Sequence, residues 1–122
     1  MLLSNVKMLI RNATKKKIIA NNAKLCNDIF SKLIGLMFSK NNKKNALILK
    51  FAEEKIISLH MFFVFYPIDV IFLNKNKIIV DKKENFKPFT FYKSRKKAMY
   101  AVELPNGTVK QTKTRIGDKV GF

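Results

Sequence analysis

The residues from Ile56 to Leu73 are almost entirely apolar, and this run constrains the fold more than any other feature of the sequence. It is long enough to raise the question of a transmembrane helix. Pro67 argues against one, because proline removes a backbone donor and clashes with the preceding turn of a helix. Asp69 would cost about 2.5–3.5 kcal/mol near the bilayer centre, and His60 adds to that cost. We therefore predict no membrane span and assign the run to the core of a soluble domain.

The composition of the same run favours β-strands, since it is rich in Phe, Val and Ile. We predict two strands, His60–Phe65 and Ile68–Leu73, with a bend between them. Apolar residues on both faces of the second strand indicate that both faces are buried. Further strands are expected at Val6–Ile10, Lys16–Ala20, Ala46–Phe51, Ile78–Val80, Pro88–Tyr92 and Met99–Leu104. Glu53–Lys55 is predicted to be a turn and Lys82–Lys87 a polar loop.

The clearest helical pattern runs from Cys26 to Phe38, where apolar residues share one face at helical spacing. A second, short helix is predicted at Thr108–Thr112, with Asn106 as its cap. Many short strands with one or two small helices are typical of a β-sandwich or barrel. A chain of 122 residues fits one domain, which we assign to residues 1–122, and its 11 phenylalanines can build a core without metal or disulfide.

Charge is the most unusual bulk property of the chain. Its 25 Lys and Arg residues against 8 Asp and Glu residues give a formal net charge of +17. The excess lies on both sides of the apolar middle, with a net of +9 in residues 1–45 and +7 in residues 75–97. Such a surface attracts polyanions with a salt-sensitive affinity. The alternative is a basic surface that has no particular partner.

The segment Lys82–Lys97 interleaves four aromatic residues with seven basic ones. Its aromatic residues are Phe86, Phe89, Phe91 and Tyr92. Exposed rings could stack on bases while the cations follow the phosphates. The alternative is that the rings face the core and the lysines only solvate the loops. The cations that we assign to a polyanion site are Lys15, Lys16, Lys17, Lys82, Lys83, Lys93, Arg95, Lys96 and Lys97.

Three polar residues lie within apolar surroundings, namely His60, Asp69 and Glu103. A buried carboxylate needs a basic partner or backbone donors, so each acid either anchors a loop or lines a ligand site. Two carboxylates that met across a cleft could form an acid/base pair. The sequence otherwise argues against an enzyme, since it has no Gly-rich phosphate loop and no nucleophile elbow. A single histidine excludes a multi-histidine metal site, and no metal or cofactor is expected.

The single cysteine, Cys26, cannot form an internal disulfide, which favours a reducing compartment and a cytoplasmic location. At the start of the predicted helix, the helix dipole would lower the pKa of this thiol and allow a nucleophile pair with His60. The alternative is an inert, buried thiol.

Five sequence landmarks occur in a fixed order, namely Gly35–Phe38, Ala46–Phe51, Leu59–Leu73, Val102–Gly107 and Ile116–Asp118. Together they resemble the family of domain of unknown function 192, also called uncharacterised protein family 0127, over nearly the whole chain. The block PIDVIFL followed by ELPNG is the most specific part. Val64, Phe65 and Asn74 depart from the pattern of the family.

The resemblance implies a compact, mainly β fold, a single-domain jelly-roll-like sandwich or barrel with one or two small helices at its side. It implies no cofactor and no established reaction. The sequence leaves three functional hypotheses. The favoured one is a non-enzymatic module that binds an unidentified small molecule or partner at His60, Asp69 and Glu103. The others are a binder of nucleic acid or another polyanion, and an enzyme that uses the two carboxylates.

Overall fold

The computed structural model describes residues 8–27, 46–61 and 65–122, and these residues form nine β-strands and one short helix. The strands are β1 (Met8–Asn12), β2 (Lys17–Asn27), β3 (Ala46–Lys55), β4 (Ser58–His60), β5 (Ile68–Leu73), β6 (Ile79–Phe86), β7 (Phe91–Lys93), β8 (Ala98–Pro105) and β9 (Val120–Gly121). The helix is α1 (Thr108–Gln111). The fold is therefore mainly β, as the sequence predicts.

Seven strands form one curled sheet in the order β6-β5-β8-β3-β2-β1-β9. Neighbours in this sheet are antiparallel except β2 and β3, which run parallel. The curl brings the two edges together, because Val120 donates its N–H to the carbonyl of Lys77 at 2.9 Å and Gly117 donates to Ile79 at 2.8 Å. We call this contact between residues 77–79 and 117–120 the seam. The curled sheet is a half-barrel, and the seam joins its two edges by these hydrogen bonds and by one isolated bridge between Ile78 and Lys119.

The inside of the curled sheet is an apolar core to which each of the seven strands contributes. Its fully buried members include Ile10, Ile48, Ile71, Leu73, Ile79, Val102, Leu104 and Val120. Val109 of α1 packs against the same core. Full burial of each such aliphatic side chain stabilises the fold by roughly 1.5–3 kcal/mol. The buried members of this core are mostly aliphatic, and the buried phenylalanines Phe51, Phe72 and Phe86 lie in a second core.

A second core lies on the outer face of the same sheet. Its buried residues include Leu47, Leu49, Val70, Phe72, Phe86 and Ala101 from the sheet, and Ile57, Leu59 and Met61 from the chain around β4. The strands β4 and β7 pair to form a two-stranded ribbon that packs here. All six residues of β5 are buried because the strand lies between the two cores, which confirms the prediction for Ile68–Leu73.

Several predicted boundaries are wrong, and the first concerns the long helix. β2 continues through Cys26 to Asn27, so no helix begins there; the rest of the predicted helix and Val6 lie outside the described residues. The strand extends because residues 23–27 pair in parallel with residues 46–50 of β3. Such a partner, distant in sequence, overrides a local helical pattern.

Two polar segments that the sequence predicts to be non-strand are also strands. β3 continues through Glu53 to Lys55, since Lys55 still pairs with Ala98 of β8. β6 continues from Ile79 to Phe86, where Lys82 and Lys83 pair with β5. Both segments have at least one face in solvent, so they need no apolar alternation over their whole length.

Candidate functional site: an exposed aromatic surface

The ribbon of β4 and β7 has one face in the core and one in solvent. Leu59 and Tyr92 lie opposite each other and pack on the outer core. Their neighbours point outward because successive side chains of a strand alternate between faces. His60 is exposed and lies opposite Phe91, which is 68% exposed, and their ring centroids are 6.1 Å apart.

Two more exposed rings extend this face of the ribbon. Phe89, in the turn before β7, is 62% exposed, and Phe65 is 67% exposed. Their ring centroids are 5.9 Å apart in an edge-to-face arrangement. Lys87 and Lys93 are also exposed, and they lie at the two ends of the segment that carries Phe89 and Phe91. We call these six residues, His60, Phe65, Lys87, Phe89, Phe91 and Lys93, the aromatic surface.

Backbone hydrogen bonds fix the turn that presents Phe89. Its N–H donates to the carbonyl of Met61, and the N–H of Met61 donates to the carbonyl of Thr90, both at 2.8 Å. The hydroxyl of Thr90 donates to the carbonyl of Lys87 at 2.6 Å. Phe89 itself has a φ of 64°, in the left-handed region. This conformation costs a bulky residue roughly 1–2 kcal/mol, and glycine or asparagine is the ordinary choice there.

A buried carboxylate holds the other end of the ribbon. Asp81 of β6 is fully buried and accepts from Nε (3.0 Å), Nη2 (2.6 Å) and the backbone N–H (2.9 Å) of Arg95. It also accepts from the Tyr92 hydroxyl at 2.8 Å and from the backbone N–H of Lys82. Burial by itself would raise the pKa of Asp81, but the hydrogen bonds from Arg95 and Tyr92 outweigh it and hold that pKa below its usual value. Asp81 thereby fixes the loop that follows β7.

The cations assigned to a polyanion site differ in their surroundings. Arg95 pairs with Asp81, Lys15 with Asp118 at 2.8 Å, and Lys82 with Glu84 at 3.0 Å. The Lys83 ammonium lies 5.5 Å from the centre of the Tyr92 ring. The remaining five are exposed and have no acidic partner within the described part of the chain; they are Lys16, Lys17, Lys93, Lys96 and Lys97. Lys15 lies at the seam, where it pairs with Asp118, and Lys93 lies at the end of the ribbon, in β7.

The structure does not bring His60, Asp69 and Glu103 together. Asp69 lies opposite Leu104 and Glu103 lies opposite Val70, so the two carboxylates point to opposite faces of the sheet. Asp69 accepts from the backbone N–H groups of Asn85 (3.0 Å), Gly107 (3.1 Å) and Val109 (3.0 Å). It therefore caps α1, and the predicted cap Asn106 is wrong, since Gly107 is the N-cap residue and contributes no side chain.

Glu103 has a different environment on the outer face, where it is half-buried between Leu47 of β3 and Val70 of β5. Its carboxyl accepts no hydrogen bond from the residues that the structure describes. Burial raises the pKa of Glu103 from 4.5 to about 7. Burial also raises the pKa of Tyr66, and the charge of Glu103 raises it further.

Cys26 is an inert thiol rather than an activated one. It is buried in β2, and its Sγ donates to the carbonyl of Ile48 at 3.6 Å. Burial, with a further contribution from the charge of Glu103, raises its pKa to about 12. The prediction that a helix dipole lowers this pKa is wrong, because Cys26 is in a strand.

The aromatic surface is only partly anticipated by the sequence. Of the four aromatic residues in Lys82–Lys97, Phe89 and Phe91 are exposed, whereas Phe86 is buried and Tyr92 half-buried. Phe65 is missed because it belongs to the apolar run that is otherwise core. Its position directly before Tyr66 and Pro67, at the end of a predicted strand, is the one signal that could have indicated exposure.

Two further features of the described residues concern membranes and metals. No helix among residues 8–27, 46–61 and 65–122 has both the length and the hydropathy needed to cross a bilayer. Over the same residues, no three His, Cys, Asp or Glu side chains gather into a possible metal-binding group.

The fold and this surface define a small, mainly β half-barrel with a side ribbon, in which the predicted acid pair is separated by a sheet. Residues 10–122 match the family DUF192, described as Uncharacterized ACR, COG1430, and the chain belongs to that family. The resemblance inferred from the sequence landmarks is thereby confirmed.

Curated relatives and solved structures agree with this assignment. The chain is 34% identical to a UPF0127 protein of Thermococcus sibiricus over 94% of this chain and 74% of that one. It is 34% identical to UPF0127 protein PF1050 of Pyrococcus furiosus over 89% of this chain and 93% of that one. A crystal structure of a protein of unknown function from Novosphingobium aromaticivorans shares the fold with a TM-score of 0.78 at 18% identity, covering 93% of this chain and 82% of that one. A second, of a proposed transcription regulator from Sinorhizobium meliloti, has a TM-score of 0.75 at 21% identity and covers 97% of both chains.

Proposed function

We propose that this domain is a non-catalytic binding module whose aromatic surface binds single-stranded nucleic acid. Bases stack on the rings of Phe89, Phe91 and Phe65, and Lys87 and Lys93 hold the phosphates on either side. This mode of binding is sequence-tolerant, because every base has a flat face that can stack on an aromatic ring.

The observation that carries the proposal is the conformation and exposure of Phe89. Its backbone adopts a φ of 64° and its ring is 62% exposed, so packing inside the fold explains neither its identity nor its strain. An exposed apolar group that also bears backbone strain is a reasonable sign of a binding role. Phe89 is the strained member of the group; Phe65 is in ring contact with it, and Phe91 lies two residues further along, so these exposed rings differ from the scattered single apolar residues of an ordinary surface.

The charge of the surroundings supports a polyanion as the partner. From Pro88 to Lys97 the chain contains no Asp or Glu and four Lys or Arg. Of these, Lys93 is exposed without an acidic partner in the described residues, whereas Arg95 forms an ion pair with Asp81. The net charge of +17 adds a long-range attraction that is independent of base sequence.

The enzyme hypothesis receives less support. Both carboxylate oxygens of Asp69 accept hydrogen bonds from backbone N–H groups, and Glu103 lies on the other face of the sheet. A general acid and a general base must both reach one substrate, and these two carboxylates face different cores. A small-molecule site formed jointly by His60, Asp69 and Glu103 meets the same obstacle.

The experiment is a fluorescence anisotropy titration of a labelled oligothymidine of about twelve nucleotides, a length within the usual site sizes for single-strand binding. We expect Phe91→Ala and Phe89→Asn each to weaken binding about tenfold, since stacking contributes roughly 1–3 kcal/mol per base. The matched control is Ile18→Ala, which removes an equally exposed apolar side chain from β2 and should leave the affinity unchanged.

Two outcomes would contradict the proposal. The first is that both phenylalanine variants bind oligothymidine with the affinity of the wild type. The second is that the variants lose heparin binding as much as they lose oligothymidine binding, because heparin has the negative charge but no bases. Binding that survives in the variants but weakens steeply with salt would indicate attraction by the lysines alone.

A further inference from the structure

A separate groove lies where the loop after β7 approaches the seam. It has a volume of about 440 Å³, and its lining includes Ile79, Val80, Lys96, Lys97 and Ile116. This volume is within the range of small-ligand sites. None of these residues belongs to the aromatic surface, although Lys96 and Lys97 are among the cations that the sequence assigns to a polyanion site.

The walls of the groove are fixed by hydrogen bonds. The loop with Lys96 and Lys97 is held by Arg95 on Asp81, and by Ser94, whose Oγ donates to the carbonyl of Lys96 at 2.9 Å and accepts from the N–H of Ile57. The turn with Ile116 is held at the seam, where the Gly117 N–H donates to Ile79 at 2.8 Å. A ligand would therefore meet a largely preformed site.

The groove combines an apolar side with uncompensated positive charge. Ile116 is 50% exposed, and Val80 is half-buried beside it. Lys96 and Lys97 are exposed and form no ion pair with a described residue. Glu54 also lines the groove, and its Oε2 accepts from the N–H of Lys75 at 2.7 Å. The two lysines outnumber this one carboxylate, so the net charge of the lining is positive and favours an anion.

We propose that this groove binds a phosphate monoester with a flat apolar body. Two lysines on the lining of one groove match the nearly double charge of a phosphate monoester better than the single charge of a carboxylate. The apolar body lies against Ile116 and Val80, where it removes apolar surface from water. The groove is thus a small-molecule site, in addition to the polymer-binding surface on the ribbon.

The probe is 1-naphthyl phosphate, titrated into the 15N-labelled full chain and followed by backbone NMR. We expect shift changes at residues 96–97 and 116–117, and an affinity at least about tenfold higher than that of inorganic phosphate, since apolar contact should contribute more than about 1.4 kcal/mol. Lys96→Ala together with Lys97→Ala should weaken binding by about thirtyfold or more, and Ile116→Ser by about fivefold. The control, Lys110→Ala on the exposed side of α1, should change nothing.

Other results would overturn the inference. They are equal binding of inorganic phosphate, an unchanged affinity in the double lysine variant, or shift changes that fall on the aromatic surface. Phe91→Ala separates this inference from the proposed function, because it should reduce oligothymidine binding and leave the affinity for naphthyl phosphate within about twofold.

Discussion

Phe89 and Phe86 are only three residues apart, yet one ring is in solvent and the other is fully buried in the outer core. The contrast gives a paired prediction. Phe86→Ala should lower the free energy of unfolding by about 3–5 kcal/mol, because it leaves a cavity. Phe89→Asn should change it by no more than about 0.5 kcal/mol or raise it, since asparagine tolerates the left-handed backbone. Urea denaturation of both variants checks this, and a large loss in Phe89→Asn would mean that the ring has a structural role.

Glu103 gives a prediction about pH. Its folded pKa of about 7 lies above the ordinary 4.5, so the native state binds this proton more tightly than the unfolded state does. The stabilisation is complete below about pH 4.5 and disappears as the pH rises through 7, and a shift of this size corresponds to roughly 3 kcal/mol. Glu103→Gln should remove this dependence and be the more stable protein at pH 8. Thermal unfolding from pH 5 to 8 measures it, and parallel curves for the two proteins would refute the expectation.

At the scale of elements, Asp69 connects β5 to β6 and to α1 through three backbone donors. Asp69→Asn keeps the size of the side chain but has one acceptor oxygen instead of two, and it loses the charge. Because a hydrogen bond to a charged group contributes about 1.5–3 kcal/mol, we expect a loss of roughly 3 kcal/mol. Hydrogen exchange should show the largest loss of protection in residues 107–112. The control Glu84→Gln, in a half-exposed pair with Lys82, should cost less than about 1 kcal/mol.

Some elements could be predicted from the sequence because their signals are local. β5 begins directly after Pro67 and ends directly before the turn at Asn74. The Oδ1 of Asn74 accepts hydrogen bonds from the N–H groups of Asn76 and Ile78, which is typical of asparagine in a turn. The full extent of β2 could not be predicted, because its pairing with β3 depends on residues that are about twenty positions away in sequence. Local periodicity carries no information about such a partner.

The candidate site was harder to predict than the fold. A strand alternation drawn through Phe86 to Tyr92 separates Phe86 and Tyr92 from Phe89 and Phe91, as the structure does, but it does not tell which of the two pairs faces the core. Asp69 and Glu103 look alike in sequence, as single acids in apolar strands. Only the register, which sets Asp69 opposite Leu104 and Glu103 opposite Val70, separates the capping acid from the one without a hydrogen bond in the described residues.

For the whole molecule, a net charge of +17 on 122 residues creates self-repulsion that is strongest in the compact state. Raising the salt concentration from about 0.01 to about 0.1 M shortens the screening length from roughly 30 to 10 Å. We expect the midpoint of thermal unfolding to rise over this range. A midpoint that falls would mean that attractive pairs such as Lys15–Asp118 outweigh the repulsion.

The seam has a consequence for how the chain reaches its native state. β1 pairs with β9, and the Asn12 side chain donates to Asp118, 106 positions further along. Neither the pairing of β9 with β1 nor the seam can form during synthesis until residues 117–121 have left the ribosome. Contacts of such long sequence separation are associated with folding in milliseconds to seconds rather than microseconds. Until those residues have emerged, the two edges of the sheet are not hydrogen-bonded to each other, so the nascent chain is exposed to edge pairing with neighbouring chains.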